Sequence, residues 1–177
     1  MNFENEYQAA CAKTTDINEH LPTLSSLITD FDCKHVTELG VGPAQSTRAF
    51  LRHDIELHSY ELYPWPSVID FFNQAIAAGR RVQLHVADTR TVEIAPTDLM
   101  LVDSLHTYDQ VCIELAQHAN KVSKFIVFHD TTTFEWNGEF GGRGIWPAIQ
   151  EFIDSHPEWQ LVERRTNNNG LTILKRL

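Results

Sequence analysis

The sequence predicts an α/β protein: a doubly wound, Rossmann-like, mostly parallel seven-stranded sheet ending in a C-terminal antiparallel hairpin. Three observations carry that prediction. Apolar, strand-like runs beginning at Lys34, Ile55, Val82, Leu99 and Phe125 alternate with segments of helical periodicity. Two of them, Leu99-Met100-Leu101-Val102 and Phe125-Ile126-Val127-Phe128, are continuously apolar, as central strands buried on both faces require. Finally, Asn167-Asn168-Asn169-Gly170 separates two last strand-like runs, and Asn-Gly in that setting is a strong hairpin signal.

In chain order, residues 1–15 are polar with scattered apolar positions and predict a short helix or arm. Ile17, Leu21, Leu24, Leu27, Ile28 and Phe31 then recur at helical spacing, with Pro22 placing the helix start near itself. We expect residues 1–33 to form a helical arm packed on a single domain over 34–177. A strand at Lys34–Leu39 leads through Gly40-Val41-Gly42 into a helix over about Gln45–Arg52. A second strand, Ile55–Tyr60, is broken by Pro64-Trp65-Pro66, and Ser67 is a suitable N-cap for a helix running to Gly79. Strands at Val82–Val86 and Leu99–Val102 follow, then a helix over about Tyr108–Asn120 and a strand at Phe125–Phe128. Residues 131–144 are a polar, aromatic and Gly-rich loop. A helix over about Trp146–Asp154 precedes the strands Trp159–Arg165 and Leu171–Lys175.

Composition limits what such a fold could do. With 42% hydrophobic and 21% charged residues the 177-residue chain reads as a globular domain. No apolar run reaches the length of a membrane span. A net charge of -10 argues against nucleic-acid or anionic-membrane partners. Cys11, Cys33 and Cys112 are odd in number and scattered, which fits free thiols in the cytoplasm. The polar, acidic start Met1–Glu6 is unlike a secretory signal. A small-molecule partner and a homo-oligomer both stay open.

In an open α/β sheet, ligands sit beyond the carboxyl ends of the strands. Those ends carry Gly40 and Gly42, then Glu61, Asp88, Asp103, and His129 with Asp130. Any one polar strand end is ordinary; five in succession are harder to dismiss. Glycine lets a ligand approach the backbone. A carboxylate at Glu61 can accept from both hydroxyls of a ribose. Gln45 stands where the dinucleotide fingerprint needs a third glycine, which argues against NAD.

Together, Glu38-Leu39-Gly40-Val41-Gly42, Tyr60-Glu61, Ala87-Asp88, Asp98 through Asp103-Ser104-Leu105-His106-Thr107-Tyr108, and Phe128-His129-Asp130 resemble a class I S-adenosylmethionine-dependent methyltransferase. The type is the small, metal-dependent O-methyltransferase-like group written VD-x-x-H-x-Y and HD. The resemblance spans about residues 35–177. It implies that Glu38, Gly40 and Gly42 line the methionine moiety and Glu61 holds the ribose. It further places Asp88 and Thr89 at the adenine, and Asp103 beside the sulfonium and the acceptor. Pro43-Ala44 departs from the third small glycine often found in that loop.

Strands four and five should be neighbours, about 4.8 Å apart, so Asp103 and Asp130 would point to one place. Two carboxylates so close call for a proton or a cation between them. Mg²⁺ fits such oxygens, and His129 beside them also suits Mn²⁺. Asp103 and Asp130 are the metal ligands this adjacency predicts, and the resemblance adds His129. Relative to the catechol-type branch, Thr131 replaces an Asn ligand; relative to other members, His129 replaces a Glu. The catalytic candidates are Asp103, His106 and His129, a histidine being suited to removing a proton from an acceptor hydroxyl. Tyr108 reads as a packing residue. His20, His35, His53, His58, His85, His118 and His156 are assigned to surface or strand positions. Phe134, Trp136 and Phe140 could cover an acceptor or pack on the sheet edge.

The expected function is methyl transfer from S-adenosylmethionine to a small-molecule acceptor, foremost a hydroxyl. The rival readings are a cofactor-binding module without catalysis and a metal-dependent hydrolase using Asp103, His129 and Asp130.

Overall fold

A computed structural model describes all of residues 1–177. Helices α1 (Phe3–Ala12) and α2 (Leu21–Asp30) precede a sheet of seven strands. The strands are β1 (His35–Leu39), β2 (Glu56–Glu61), β3 (Arg81–Val86), β4 (Thr97–Val102), β5 (Val122–His129), β6 (Trp159–Arg165) and β7 (Leu171–Arg176). Helices α3 (Gln45–Leu51), α4 (Pro66–Ala77), α5 (Tyr108–His118) and α6 (Ile145–Ser155) lie between them. The sheet order is β3-β2-β1-β4-β5-β7-β6. The first five strands run parallel, and β7 pairs antiparallel with both β5 and β6. This is the predicted architecture.

Strand periodicity divides the core between two faces. Val36, Leu57, Leu99, Leu101 and Val127 face the layer of α1, α2, α3 and α4. Leu39, Met100, Val102 and Ile126 face α5 and α6. Leu99 to Val102 are all buried, as their unbroken apolar run demands. The arm is part of the first core: Phe3, Tyr7, Leu21 and Leu24 are buried in it. No helix is long and apolar enough to cross a membrane.

Several local expectations change. Ser67 is not the N-cap of α4: Trp65 holds that place and Pro66 is the first helical residue, its fixed φ suiting the first turn. Strand β5 extends well beyond Phe125–Phe128, because its start pairs with β4 and its end with β7. His20 and His118 are wholly buried and lie outside any strand. Each anchors a turn through Nε2, His20 at the carbonyls of Asn167 and Asn168 and His118 at that of Thr89.

Candidate functional site

The switch point of the sheet lies between β1 and β4, and the loops beyond their carboxyl ends lock together there. Asp103 N donates to the Leu39 carbonyl at 2.8 Å, and Gly40 N donates to that of Tyr60 at 2.9 Å. Gly40 has φ +86°, and its missing side chain leaves room for the Asp103 backbone. The turn then passes through Gly42 at φ +48° and Ala44 at φ +60°. Ala44 thus takes a left-handed conformation that glycine would adopt more cheaply.

This turn, with the ends of β2, β3 and β4, encloses a cavity of about 530 Å³, within the range of small-ligand sites. Of the residues expected at the site, Gly40, Gly42, Glu61, Asp88, Thr89, Asp103 and His106 line it. Glu38, His129 and Asp130 stand behind the wall.

Glu38 is fully buried. By period 2 it shares the Val36 side of β1, toward α3, where it accepts from Ser46 at 2.5 Å, Thr47 at 2.9 Å and its cross-strand neighbour Ser59 at 2.6 Å. Burial pushes its carboxyl up to about 7, the three hydroxyl donors opposing that rise. Its position is that of a brace for the glycine turn. Glu61 Oε2 accepts from the amides of Val41 and Gly42 at 3.1 and 3.2 Å, and Oε1 from that of Tyr63. Asp88 is ion-paired with Arg90, whose Nε and Nη2 reach both carboxylate oxygens. Thr89 turns its hydroxyl away from Asp88, to Glu114 at 2.5 Å.

On the β4–β5 side, Asp103, His129 and Asp130 bring ligand atoms within 4.8 Å of one another. His129 Nδ1 lies 3.0 Å from Asp103 Oδ1, and its Nε2 lies 3.1 Å from the Asp16 carbonyl. His106 Nε2 lies 2.9 Å from Asp130 Oδ2 and 3.5 Å from Asp103 Oδ1, while its Nδ1 faces Glu139 at 3.1 Å. Each imidazole therefore has acceptors at both nitrogens, an arrangement that favours the doubly protonated ring. Burial opposes that charge on both rings, but the carboxylates prevail. His106 is pushed up to about 10 and His129 to about 9. Burial likewise works to raise Asp103, yet the charge of His129 and the contacts from both histidines hold it well below the carboxylate range.

Asp130 has φ +59°, in the left-handed region, and opens the turn in which Phe134 N donates to its carbonyl at 3.0 Å. Its Oδ1 and the Nε2 of His106 are buried without a well-directed hydrogen bond. The ring of Phe134 stacks on His106 at 4.6 Å, and Phe140, from the same loop, lines the cavity. Trp136 stays exposed. Tyr108 supports the loop's far end, its ring under the Arg143 guanidinium. Sequence reasoning passed over Ser104, Gln110, Glu114 and Glu139. Only Gln110 and Glu114, one helical turn apart on α5, left a signal that spacing could have revealed.

No protein-family model matches the chain, and no curated protein does. Solved structures do resemble it. A putative caffeoyl-CoA O-methyltransferase from Staphylococcus aureus superposes with TM-score 0.69 at 14% identity, over 89% of this chain and 83% of that one. The S-adenosylhomocysteine-bound methyltransferase PaMTH1 of Podospora anserina gives 0.65 at 15% identity, over 99% and 88%. The N-methyltransferase NodS of Bradyrhizobium japonicum, also bound to S-adenosylhomocysteine, gives 0.66 at 14% identity, over 99% of each chain. The chain thus has the fold of the class I S-adenosylmethionine-dependent methyltransferases.

Proposed function

We propose that this protein is a methyltransferase that moves the methyl group of S-adenosylmethionine to a small-molecule acceptor, with a hydroxyl as the accepting group. The observation that supports this reading most is the convergence of the β1 glycine turn, Glu61, Asp88 and Asp103 on one cavity at the switch point. Bound there, S-adenosylmethionine would supply an electrophilic methyl carbon for in-line attack by the acceptor oxygen, with S-adenosylhomocysteine as the leaving group.

The tasks of the chain itself are alignment and proton control. Gly42 gives the ligand access to backbone, and Gly40 lets the loop after β4 close onto the same turn. Glu61 already accepts from loop amides, and its remaining lone pairs are free for ribose hydroxyls. Asp103 and His106 are the groups proposed to meet the acceptor, and His129 positions Asp103 from behind. While both carboxylates hold its proton, His106 is a poor base near neutral pH; engaging those carboxylates elsewhere would free it.

The donor set suits a divalent cation, Mg²⁺ or Mn²⁺, at Asp103, His129 and Asp130. The Asp16 carbonyl takes the Nε2 proton of His129 and leaves Nδ1 to face the carboxylates, as a ligating histidine donates its other ring N–H to an oxygen. Oδ1 of Asp130 is a buried oxygen without a partner. A cation held there would lower the pKa of an acceptor hydroxyl and orient it. The cytoplasm and a small-molecule partner go with this reading.

Titration calorimetry with S-adenosylmethionine and S-adenosylhomocysteine tests it. Binding is expected, and none at near-millimolar ligand, with or without Mg²⁺ or Mn²⁺, would overturn the proposal. Transfer of labelled methyl to a panel of hydroxyl and amine acceptors then decides which atom is methylated.

A further inference from the structure

Between the ends of β3 and β4 the cavity wall is tied together by one buried acid. Glu114, on α5, is wholly inaccessible. Its Oε1 accepts from Thr89 Oγ1 at 2.5 Å, Ser104 Oγ at 2.6 Å and Gln110 Nε2 at 2.7 Å. Gln110 Nε2 also donates to Thr89 Oγ1 at 2.9 Å. Thr89, Ser104 and Gln110 all line the cavity.

The direction of these bonds has a chemical consequence. An oxygen that accepts three times obliges both hydroxyls and the amide to turn their hydrogens inward. Both hydrogens of the Gln110 amide are spent on Glu114 and Thr89. Its Oε1 has no protein partner and is not among the buried unpartnered atoms, so it is open to the cavity. This wall therefore shows acceptors, and an acceptor wall recognises a donor. Asp88, the residue the sequence suggested for the adenine, has its carboxylate taken by the Arg90 amide and guanidinium.

Given that the cavity holds S-adenosylmethionine, we propose that Gln110 reads the amino edge of its adenine by accepting from the exocyclic N–H. Glu114 is the positioning residue that fixes the amide in that orientation. An oxygen at the six-position, as in hypoxanthine, would meet Gln110 Oε1 lone pair to lone pair.

The experiment compares S-adenosylhomocysteine with S-inosylhomocysteine by calorimetry, since loss of folding or of general affinity lowers both but leaves their ratio. A site built to bond a donor rejects the analogue lacking it strongly, so wild type should prefer the adenine ligand by about a hundredfold or more. Gln110→Leu should bring the ratio to within about tenfold. Glu114→Gln supplies an amide donor where only acceptors stood, lets Gln110 turn over, and should reduce the ratio as well. Equal binding of the two ligands by wild type overturns the proposal, as does an undiminished ratio in Gln110→Leu. If wild type binds neither ligand, the methyltransferase reading itself falls.

Discussion

A Cβ built on Gly40 would stand 2.0 Å from the carbonyl oxygen of Asp103 and 2.5 Å from its carbonyl carbon. The glycine turn after β1 and the acid that ends β4 are thus one packed unit, joined through backbone that cannot yield as a side chain would. At Gly42, two residues on, a Cβ would meet nothing within 4 Å.

The two glycines should respond differently to alanine. Gly40→Ala combines a left-handed φ with a backbone collision and should cost ~3 kcal/mol or more. Gly42→Ala carries only the left-handed penalty of roughly 1–2 kcal/mol. Urea unfolding of both variants measures the gap, and equal costs would show that the β1 and β4 loops do not interlock.

Glu38 should make stability depend on pH. Its folded-state carboxyl is raised to about 7 by burial, whereas in the unfolded chain it titrates in the ordinary carboxylate range. Between those values the native state holds more protons than the unfolded state, so this contribution is complete at low pH and is lost as pH rises through 7. The stability of wild type relative to Glu38→Gln should fall across that window, by roughly 3 kcal/mol at most, and then level off. A pH-independent difference would mean that Glu38 is ionised throughout.

Cation binding should be coupled to a proton on His129. That ring is held protonated up to about 9 by Asp103, and Nδ1 must be bare to ligate. Mn²⁺ affinity, followed by calorimetry in buffers of different ionisation enthalpy, should rise about tenfold per pH unit below that value with at least one proton released. Asp130→Ala should abolish the binding. Tight Mn²⁺ binding without proton release would place the cation away from His129.

Glu61 serves both the loop and the ligand, and ligand chemistry can separate the roles. Glu61→Ala should weaken S-adenosylhomocysteine by about tenfold or more, the worth of a charge-assisted hydrogen bond. It should penalise the 2′,3′-dideoxy analogue much less. An equal penalty on both would leave Glu61 as a support for Val41 and Gly42 alone.

How far the site could be read beforehand depended on what each residue meets. Gly40, Glu61, Asp88 and Asp103 were legible because strand ends in an open sheet are bound to face a common crevice, and apolar runs mark where strands end. The Asp103–His129–Asp130 approach followed from the adjacency of β4 and β5. Glu139 was not legible: it lies 33 positions from His106 and reaches it because a loop folds back. Nor was the pairing of Asp88 with Arg90, two residues away, since either side chain had alternatives in solvent.

Local periodicity and strand-end chemistry thus determined the class of the fold, the order of its elements and the edge of the sheet that carries the site. Both are properties of short segments, set by which side chains can be buried. Tertiary structure alone decided which polar groups face the cavity. Glu38 went behind the wall because α3 and β2 offer it three hydroxyls, and Gln110 came forward because Glu114 and Thr89 claim its amide hydrogens. A buried carboxyl takes its orientation from the donors around it, and these sit on separate strands, helices and loops that only the fold brings together.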